Sequence, residues 1–515
     1  MNTMNLHGEP EARIRNILHS FLPGKDIGSW VNGEVLQGKG ESLTLTDPAT
    51  SKAFAHFNDA DQSVIDAAMT AARKAQREWA ALTASARGRV MYEIARQIRA
   101  HAADIAELES RSAGRPIRDI RGEAVRVAEM FEYYAGWCDK LHGEVIPVPT
   151  SHLNYTRYEP VGVVVQITPW NAPLFTGGWQ IAPAICAGNA VVIKPSELTP
   201  LSTLILGVLC EKGGAPRGLV NVIAGQGKTA GQAAVSHADT GLVVFVGSAI
   251  AGSAIAAAAA KNTVPCILEL GGKSGNIIFA DADIDRALAG AQSAIFSAAG
   301  QSCVAGSRLL IHRSIHQEFT ERYAAAAERI PVGDPILEGT QIGPINNARQ
   351  WGKIDEMVRQ GLGEGASLVT GGGKPASLVE SGGFYFSPTI LDKVTPAMTI
   401  AREEVFGPVV GVTPFDDEEE AVALANGTPY GLAGAVWTQD VGRAHRVAAA
   451  VRAGTFWING YKTINVMSPF GGFGRSGYGR SSGREALMAY TVTKSVWVET
   501  AADPAVTFGY SPDGA

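Results

Sequence analysis

The chain has 515 residues, 46% hydrophobic and 18% charged, with a formal net charge of -6. This length supports several large apolar cores, about two or three domains, and the acidic balance argues against a nucleic-acid surface, which needs clustered cations. Five cysteines, widely spaced and without a C-x-x-C pair, argue against a disulfide framework or a zinc site and for a reducing, cytoplasmic compartment.

Residues 1–9 contain no apolar run of the kind a secretory leader needs. Residues 1–60 read as an arm of short strands, with a hairpin turn at Trp30-Val31-Asn32-Gly33 and a second turn at Asp47-Pro48. Residues 61–138 read as helical. Ala67, Ala68, Ala71, Ala72 and Ala75 form a small-residue face, residues 85–108 continue in amphipathic register, and Gly114-Arg115-Pro116 interrupts.

From residue 160 the pattern changes to alternating strands and helices, with strands expected at 161–167, 190–193, 220–223 and 242–246. Two uncharged stretches, 160–193 and 241–260, raise the question of a membrane span. Pro169, Pro173 and Pro183 with Gly177 and Gly178 break the first. In the second, a strand gives way to Gly247-Ser248 and an Ala-rich helix, a buried βαβ pattern.

After Glu269 a second series predicts strand 276–279, helix 284–299, strand 308–312, helix 317–330 and strands 409–412, 433–437 and 455–458. The fold class is therefore α/β, with two open α/β domains. Residues 491–499 alternate like an exposed strand whose partner is expected at 152–158. A two-stranded ribbon is marginal in water, so this pair is expected to meet another subunit. The tail from Asp503 is expected to be loose.

Two segments carry chemistry. Cys303 lies in Gly300-Gln301-Ser302-Cys303, and Glu269 in Leu268-Glu269-Leu270-Gly271-Gly272-Lys273. A thiol that attacks a carbonyl forms a covalent intermediate, and a carboxylate activates the water that releases it. A lone cysteine is more often a small buried apolar residue; the flanking glycines let backbone amides crowd a reacting oxygen. Gly247-Ser248 between a strand and a helix suits a phosphate group, although the spacing is not G-x-G-x-x-G. Gly225-Gln226-Gly227 with Gly231 repeats that theme. Lys194-Pro195-Ser196-Glu197 ends a strand where α/β sheets bind ligands, so Glu197 is either a ribose-diol acceptor or a solvated loop charge.

Together with Thr168-Pro169-Trp170-Asn171, Glu404-Val405-Phe406-Gly407-Pro408 and Pro469-Phe470-Gly471-Gly472, these blocks stand in an order that resembles the NAD(P)-dependent aldehyde dehydrogenase superfamily, of the acid-forming type. The resemblance implies a Rossmann-like NAD-binding domain (1–140 and 161–271), a catalytic domain (272–480), an oligomerisation ribbon (141–160 and 484–502) and a flexible tail (503–515). It implies a homodimer or homotetramer acting on a small-molecule aldehyde, with no metal, nucleic acid or membrane partner.

By the same resemblance Cys303 is the nucleophile, Glu269 the base that activates water, and Asn171 an oxyanion donor. Ile167, Thr168, Pro169, Trp170, Lys194, Ser196, Glu197, Gly227, Gly247, Ser248, Leu270, Gln350, Lys353, Glu404 and Phe406 are the expected NAD contacts. Glu197 favours NAD over NADP, because a carboxylate repels a 2′-phosphate. Departures from common relatives are Gly275, Val246 and Gly474, none of them a catalytic group.

The substrate pocket is expected from Ala172, Phe175, Thr176, Trp179, Ser302 and Val304. Small residues at 172 and 176–178 enlarge the space, and Phe175 and Trp179 supply aromatic surface. An aromatic or bulky aldehyde is therefore expected, unless those rings are ordinary packing residues. A semialdehyde would call for a cation, which Gln180 beside Trp179 does not offer. The alternatives are a CoA-acylating enzyme, which generally lacks the equivalent of Glu269, and a catalytically silent structural or binding relative. A cysteine hydrolase would need a histidine partner, and the nearest downstream, His312, falls at the far end of a strand.

Overall fold

The computed structural model describes residues 10–22 and 26–503. Residues 1–9 and the tail beyond Asp503, on which two of the sequence expectations fall, lie outside the described residues. Among the described residues an eight-stranded sheet runs in the order Gly477–Tyr478, Cys266–Glu269, Thr240–Val246, Val163–Ile167, Ala190–Lys194, Val220–Val222, Ser29–Val31 and Glu34–Leu36. The five strands from Cys266–Glu269 to Val220–Val222 are parallel and the flanking ones antiparallel. Their Val- and Ile-rich sequences are buried on both faces, as a helix-covered parallel sheet requires.

A second sheet of seven strands runs Ser367–Thr370, Thr389–Asp392, Val409–Phe415, Arg308–His312, Gly275–Ile278, Ala433–Trp437 and Thr455–Ile458. The expected βαβ alternation holds in both sheets, with strand ends shifted by a residue or a few. The chain passes from the first sheet to the second through Leu270–Ser274, directly after Glu269. The short strand Gly477–Tyr478 returns to the first sheet, pairing Glu269 with Gly477.

Several expectations need correction. The opening arm begins with helix Pro10–Phe21, whose Ile14, Ile17, Leu18 and Phe21 join the first core. The stretch 85–108 is two helices, Ala84–Ala100 and Ala102–Ala113, broken at His101. The helix expected over 284–299 ends at Phe296, because Ala298 and Ala299 take positive φ in the turn Ser297–Gly300. Pro183 does not break helix Pro173–Cys186. Among the described residues no helix is long and apolar enough to cross a membrane.

Strand Thr491–Glu499 pairs antiparallel with His152–Pro160 along its whole length, and Val145–Ile146 adds a third, short strand. The ribbon leaves Leu153, Val492, Trp497 and Val498 exposed.

Candidate active site

Glu269 ends a parallel strand of the first sheet, where its carbonyl accepts from Gly247 N (3.1 Å) and the next amide, Leu270 N, donates to Ser476 O (3.0 Å). Its side chain is buried. Oε1 accepts from Ser481 Oγ at 2.8 Å, while Oε2 has no hydrogen-bond partner among the described residues. Burial pushes the carboxyl up to about 8, and the Ser481 bond and the Arg480 charge pull it only partly back.

Cys303 follows the turn Ser297–Gly300 and is half-buried. Two glycines bring its loop against its neighbours. A Cβ on Gly272 would lie 2.6 Å from the Cys303 carbonyl oxygen, and one on Gly300, which also has φ +69°, would strike the Gly407 backbone. The loops bearing Glu269, Cys303 and Glu404 therefore meet at backbone distance. Burial pushes the thiol up to about 12, with the Glu404 and Glu269 carboxyls adding to the shift. The free protein thus holds a thiol, and the sulfur must lose its proton as it reacts.

Asn171 reaches the same place from the first sheet: its Nδ2 donates to Gln301 O at 2.8 Å, two residues before the thiol. One Nδ2 hydrogen remains for another acceptor. Its loop is set by residues the sequence reading passed over. Buried Glu109 accepts from Leu174 N (3.1 Å) at the start of helix Pro173–Cys186, and Arg115 bridges Glu109 (2.8 Å) and Glu123 (2.6 Å). Gln301 is held in turn, accepting from Asn346 N at 2.9 Å. Ser481, the counterpart of Glu109 on the Glu269 side, has no visible signal in the sequence because its contact arises only where the chain returns to the first sheet.

The expected cofactor residues divide into a crevice and its supports. Ile167 ends the strand at the centre of the first sheet and Thr168, Pro169 and Trp170 follow it; Thr168 N donates to Lys194 O (3.1 Å) and Thr168 Oγ1 is buried without a hydrogen-bond partner among the described residues. Lys194 is buried, its Nζ donating to the carbonyls of Pro195 (2.8 Å) and Gly225 (3.0 Å) and lying 3.6 Å from Glu197 Oε2. Ser196 Oγ accepts from Leu198 N. A Cβ on Gly227 would meet nothing within 4 Å, so the crevice is open there. Ser248 caps helix Ala249–Ala260 beside Gly247, leaving first-turn amides free, and Leu270 is buried behind that turn, against Gly252.

Glu404 Oε1 accepts from Gly272 N at 3.0 Å, and burial raises its carboxyl. Phe406, at φ +57°, meets the Trp170 ring edge-on at 5.3 Å. Gln350 donates to the carbonyls of Val405 (2.9 Å) and Phe406 (3.0 Å), and Lys353 to that of Glu404 (2.9 Å). These two side chains brace the 404–406 segment from outside. An orphaned hydroxyl, free helix-terminal amides and an open glycine face are the features that a dinucleotide fits.

On the other side of Cys303, Phe175 stacks on Trp179 at 4.9 Å, and Trp179 meets Phe470 edge-on at 6.0 Å. Val304 is buried with Leu432 and Ala433, and Cys303, Trp457, Ile464 and Phe470 pack against that cluster. Ala172 precedes helix Pro173–Cys186, Ser302 is half-buried and Thr176 is buried. One expectation fails here. Gly177 and Gly178 serve helix packing, since a Cβ would press on Leu206 at the first and on Val127 at the second. Gln180 is fully buried, and its carbonyl accepts from Gln166 Nε2. His312 stacks edge-on against Phe415 at 5.6 Å and supports no thiol.

A two-sheet α/β fold, with a thiol, a carboxyl and an amide converging beside a crevice at the strand ends, defines a class of covalent oxidoreductases. The aldehyde dehydrogenase family model matches residues 35–496. The chain is 42% identical over 479 residues to retinal dehydrogenase 2 of Homo sapiens, covering 91% of this chain and 90% of that one. It is 40% identical over 477 residues to betaine aldehyde dehydrogenase of Bacillus subtilis, covering 92% and 96%. The crystal structure of PnpE from Pseudomonas sp. WBC-3, also solved in complex with nicotinamide adenine dinucleotide, superposes with a TM-score of 0.92 at 42% identity, covering 94% of this chain and 100% of that one. The chain therefore belongs to the aldehyde dehydrogenase family. Its relatives are named for aldehydes as unlike as retinal and betaine aldehyde.

Proposed function

We propose that this enzyme oxidises an aromatic or otherwise bulky aldehyde to its carboxylic acid with NAD as the oxidant. The observation that carries the reading is that Asn171 bonds the Cys303 loop at Gln301, while buried Glu269 lies within electrostatic reach of the Cys303 thiol. Cys303 Sγ adds to the aldehyde carbon, and its proton leaves as the C–S bond forms. Asn171 Nδ2 and the Cys303 amide donate to the resulting alkoxide. NAD, when bound, accepts the hydride released as the alkoxide collapses to a thioester. Glu269 in its ionised form takes a proton from water, which attacks the thioester and returns the thiol. The net change is aldehyde plus water plus NAD+ to acid plus NADH, with protons released to solvent.

Glu197 beside Lys194 supports NAD over NADP, and Glu269 supports hydrolysis over transfer to CoA. The paired rings of Phe175 and Trp179, facing Phe470, support a flat or bulky substrate. The apolar side chains left open on the ribbon support a homodimer or homotetramer, and five unbridged thiols support a reducing, cytoplasmic setting. The test follows NADH absorbance with a panel of aldehydes, with Cys303→Ala as control. A higher kcat/KM for benzaldehyde than for acetaldehyde is expected. The opposite order overturns the substrate reading, and undiminished turnover by Cys303→Ala overturns the covalent one.

A further inference from the structure

Lys462 is a cation that the reaction above does not use. It sits at φ +62° in the segment that follows strand Thr455–Ile458, between Trp457 and Ile464, both of which pack, as Cys303 does, against the cluster of Val304, Leu432 and Ala433. The segment is held in place: Trp457 Nε1 donates to Thr463 O at 2.9 Å, and the Trp457 and Tyr461 rings lie 4.7 Å apart. Lys462 Nζ reaches 2.7 Å from Ser297 Oγ, at the start of the turn that leads to the thiol. The carboxyls Glu404 and Glu269 approach Cys303 from the crevice; Lys462 comes from the aromatic side, with Trp457, Ile464 and Phe470.

This amine has no counter-ion. Among the described residues no carboxylate lies within ion-pair distance of it, and the hydroxyl of Ser297 is its hydrogen-bond partner. Its charged neighbours are the Cys303 sulfur, Arg115 and Asp119. Arg115 is already neutralised by Glu109 and Glu123, and Asp119 pairs with Arg118 at 3.5 Å. Burial lowers the Lys462 ammonium to about 8, so near neutral pH it is charged and incompletely solvated. A half-buried ammonium with two unused donors is costly unless a ligand supplies the opposite charge.

We propose that Lys462, held in place by the Ser297 hydroxyl it donates to, binds a carboxylate at the far end of the aldehyde substrate, so that the enzyme prefers an oxo-acid over the neutral aldehyde of the same skeleton. This rests on the aldehyde-oxidising reading and adds a charge to its substrate. The cation that Gln180 fails to offer comes from a residue distant in sequence. Both functional groups of such a molecule are then held: the carbonyl at Cys303 and Asn171, the carboxylate at Lys462.

The test compares kcat/KM for 4-carboxybenzaldehyde with benzaldehyde, and for 5-oxopentanoate with pentanal, in wild type, Lys462→Met and Lys462→Arg. The wild type is expected to favour each charged member by about tenfold or more, the scale of one charge-assisted hydrogen bond. Lys462→Met should bring that ratio toward unity, chiefly through KM of the acid, and Lys462→Arg should restore much of it. The ratio is internal to each variant, so loss of folded protein does not change it. No preference for the charged members in wild type, or an undiminished ratio in Lys462→Met, overturns the proposal. The aromatic reading is tested separately by benzaldehyde against pentanal, which carry the same charge.

Discussion

Ser481 Oγ donates to Glu269 Oε1 at 2.8 Å, joining two residues 212 positions apart, and among the described residues no other hydrogen-bond partner reaches that carboxyl. The bond orients the carboxyl and offsets part of the burial that raises it to about 8. Glu269 must be ionised to act as the base proposed above, so thioester hydrolysis should rise with pH through about 8 and be lost below it. Removing Ser481 takes away a stabiliser of the charged form. In Ser481→Ala the inflection in the kcat–pH profile should move to higher pH, and kcat at pH 7 should fall by roughly threefold to tenfold. An unmoved inflection would remove Glu269 as the limiting base.

For Glu269→Gln two outcomes are expected together. Mixing with NAD and benzaldehyde should give a stoichiometric burst of NADH followed by very slow turnover, as the thioester accumulates. The variant should also melt at a higher temperature, and by more at pH 9 than at pH 5. A carboxyl whose folded value lies above the unfolded one of about 4.3 destabilises the fold increasingly as pH rises between the two. Calorimetry at the two pH values checks the second outcome; equal shifts would contradict the buried-carboxyl account.

Asn171 is held by Gln301 and donates from a fixed position. Asn171→Ala should lower kcat by about 10²–10³, the usual loss for one oxyanion donor, with a smaller change in KM. Steady-state kinetics and a thermal melt on the same sample separate this from general loosening of the turn.

Glu197 lies 3.6 Å from buried Lys194 at the rim of the crevice. Glu197→Ser should raise the NADP/NAD ratio of kcat/KM by about tenfold, because the repulsion toward a 2′-phosphate goes while Lys194 stays. An unchanged ratio would sink the assignment of Glu197 to the ribose.

The ribbon exposes Val492, Trp497 and Val498 on strand Thr491–Glu499. A charge placed there by Trp497→Glu should shift sedimentation toward the monomer at micromolar concentration. Unaltered sedimentation of an oligomeric wild type would put the interface elsewhere.

The sequence by itself determined the alternation of strands and helices, the pairing of the two ribbon strands and the candidate thiol and carboxyl. Those features are written in local periodicity and short blocks, which survive without knowing what packs on what. It misread the helix ends near His101 and Phe296, where single residues leave helical geometry for reasons set by their neighbours. It also took Gly177 and Gly178 for pocket-widening residues, although smallness alone does not say which face of a helix is crowded. The tertiary structure decided the partners of the reacting groups. Ser481 reaches Glu269, Glu109 fixes the start of the Asn171 helix, and Lys462 arrives beside Ser297, because separate loops converge where the two sheets meet. Contacts between residues so far apart in the chain depend on how the layers pack, and no local pattern encodes them.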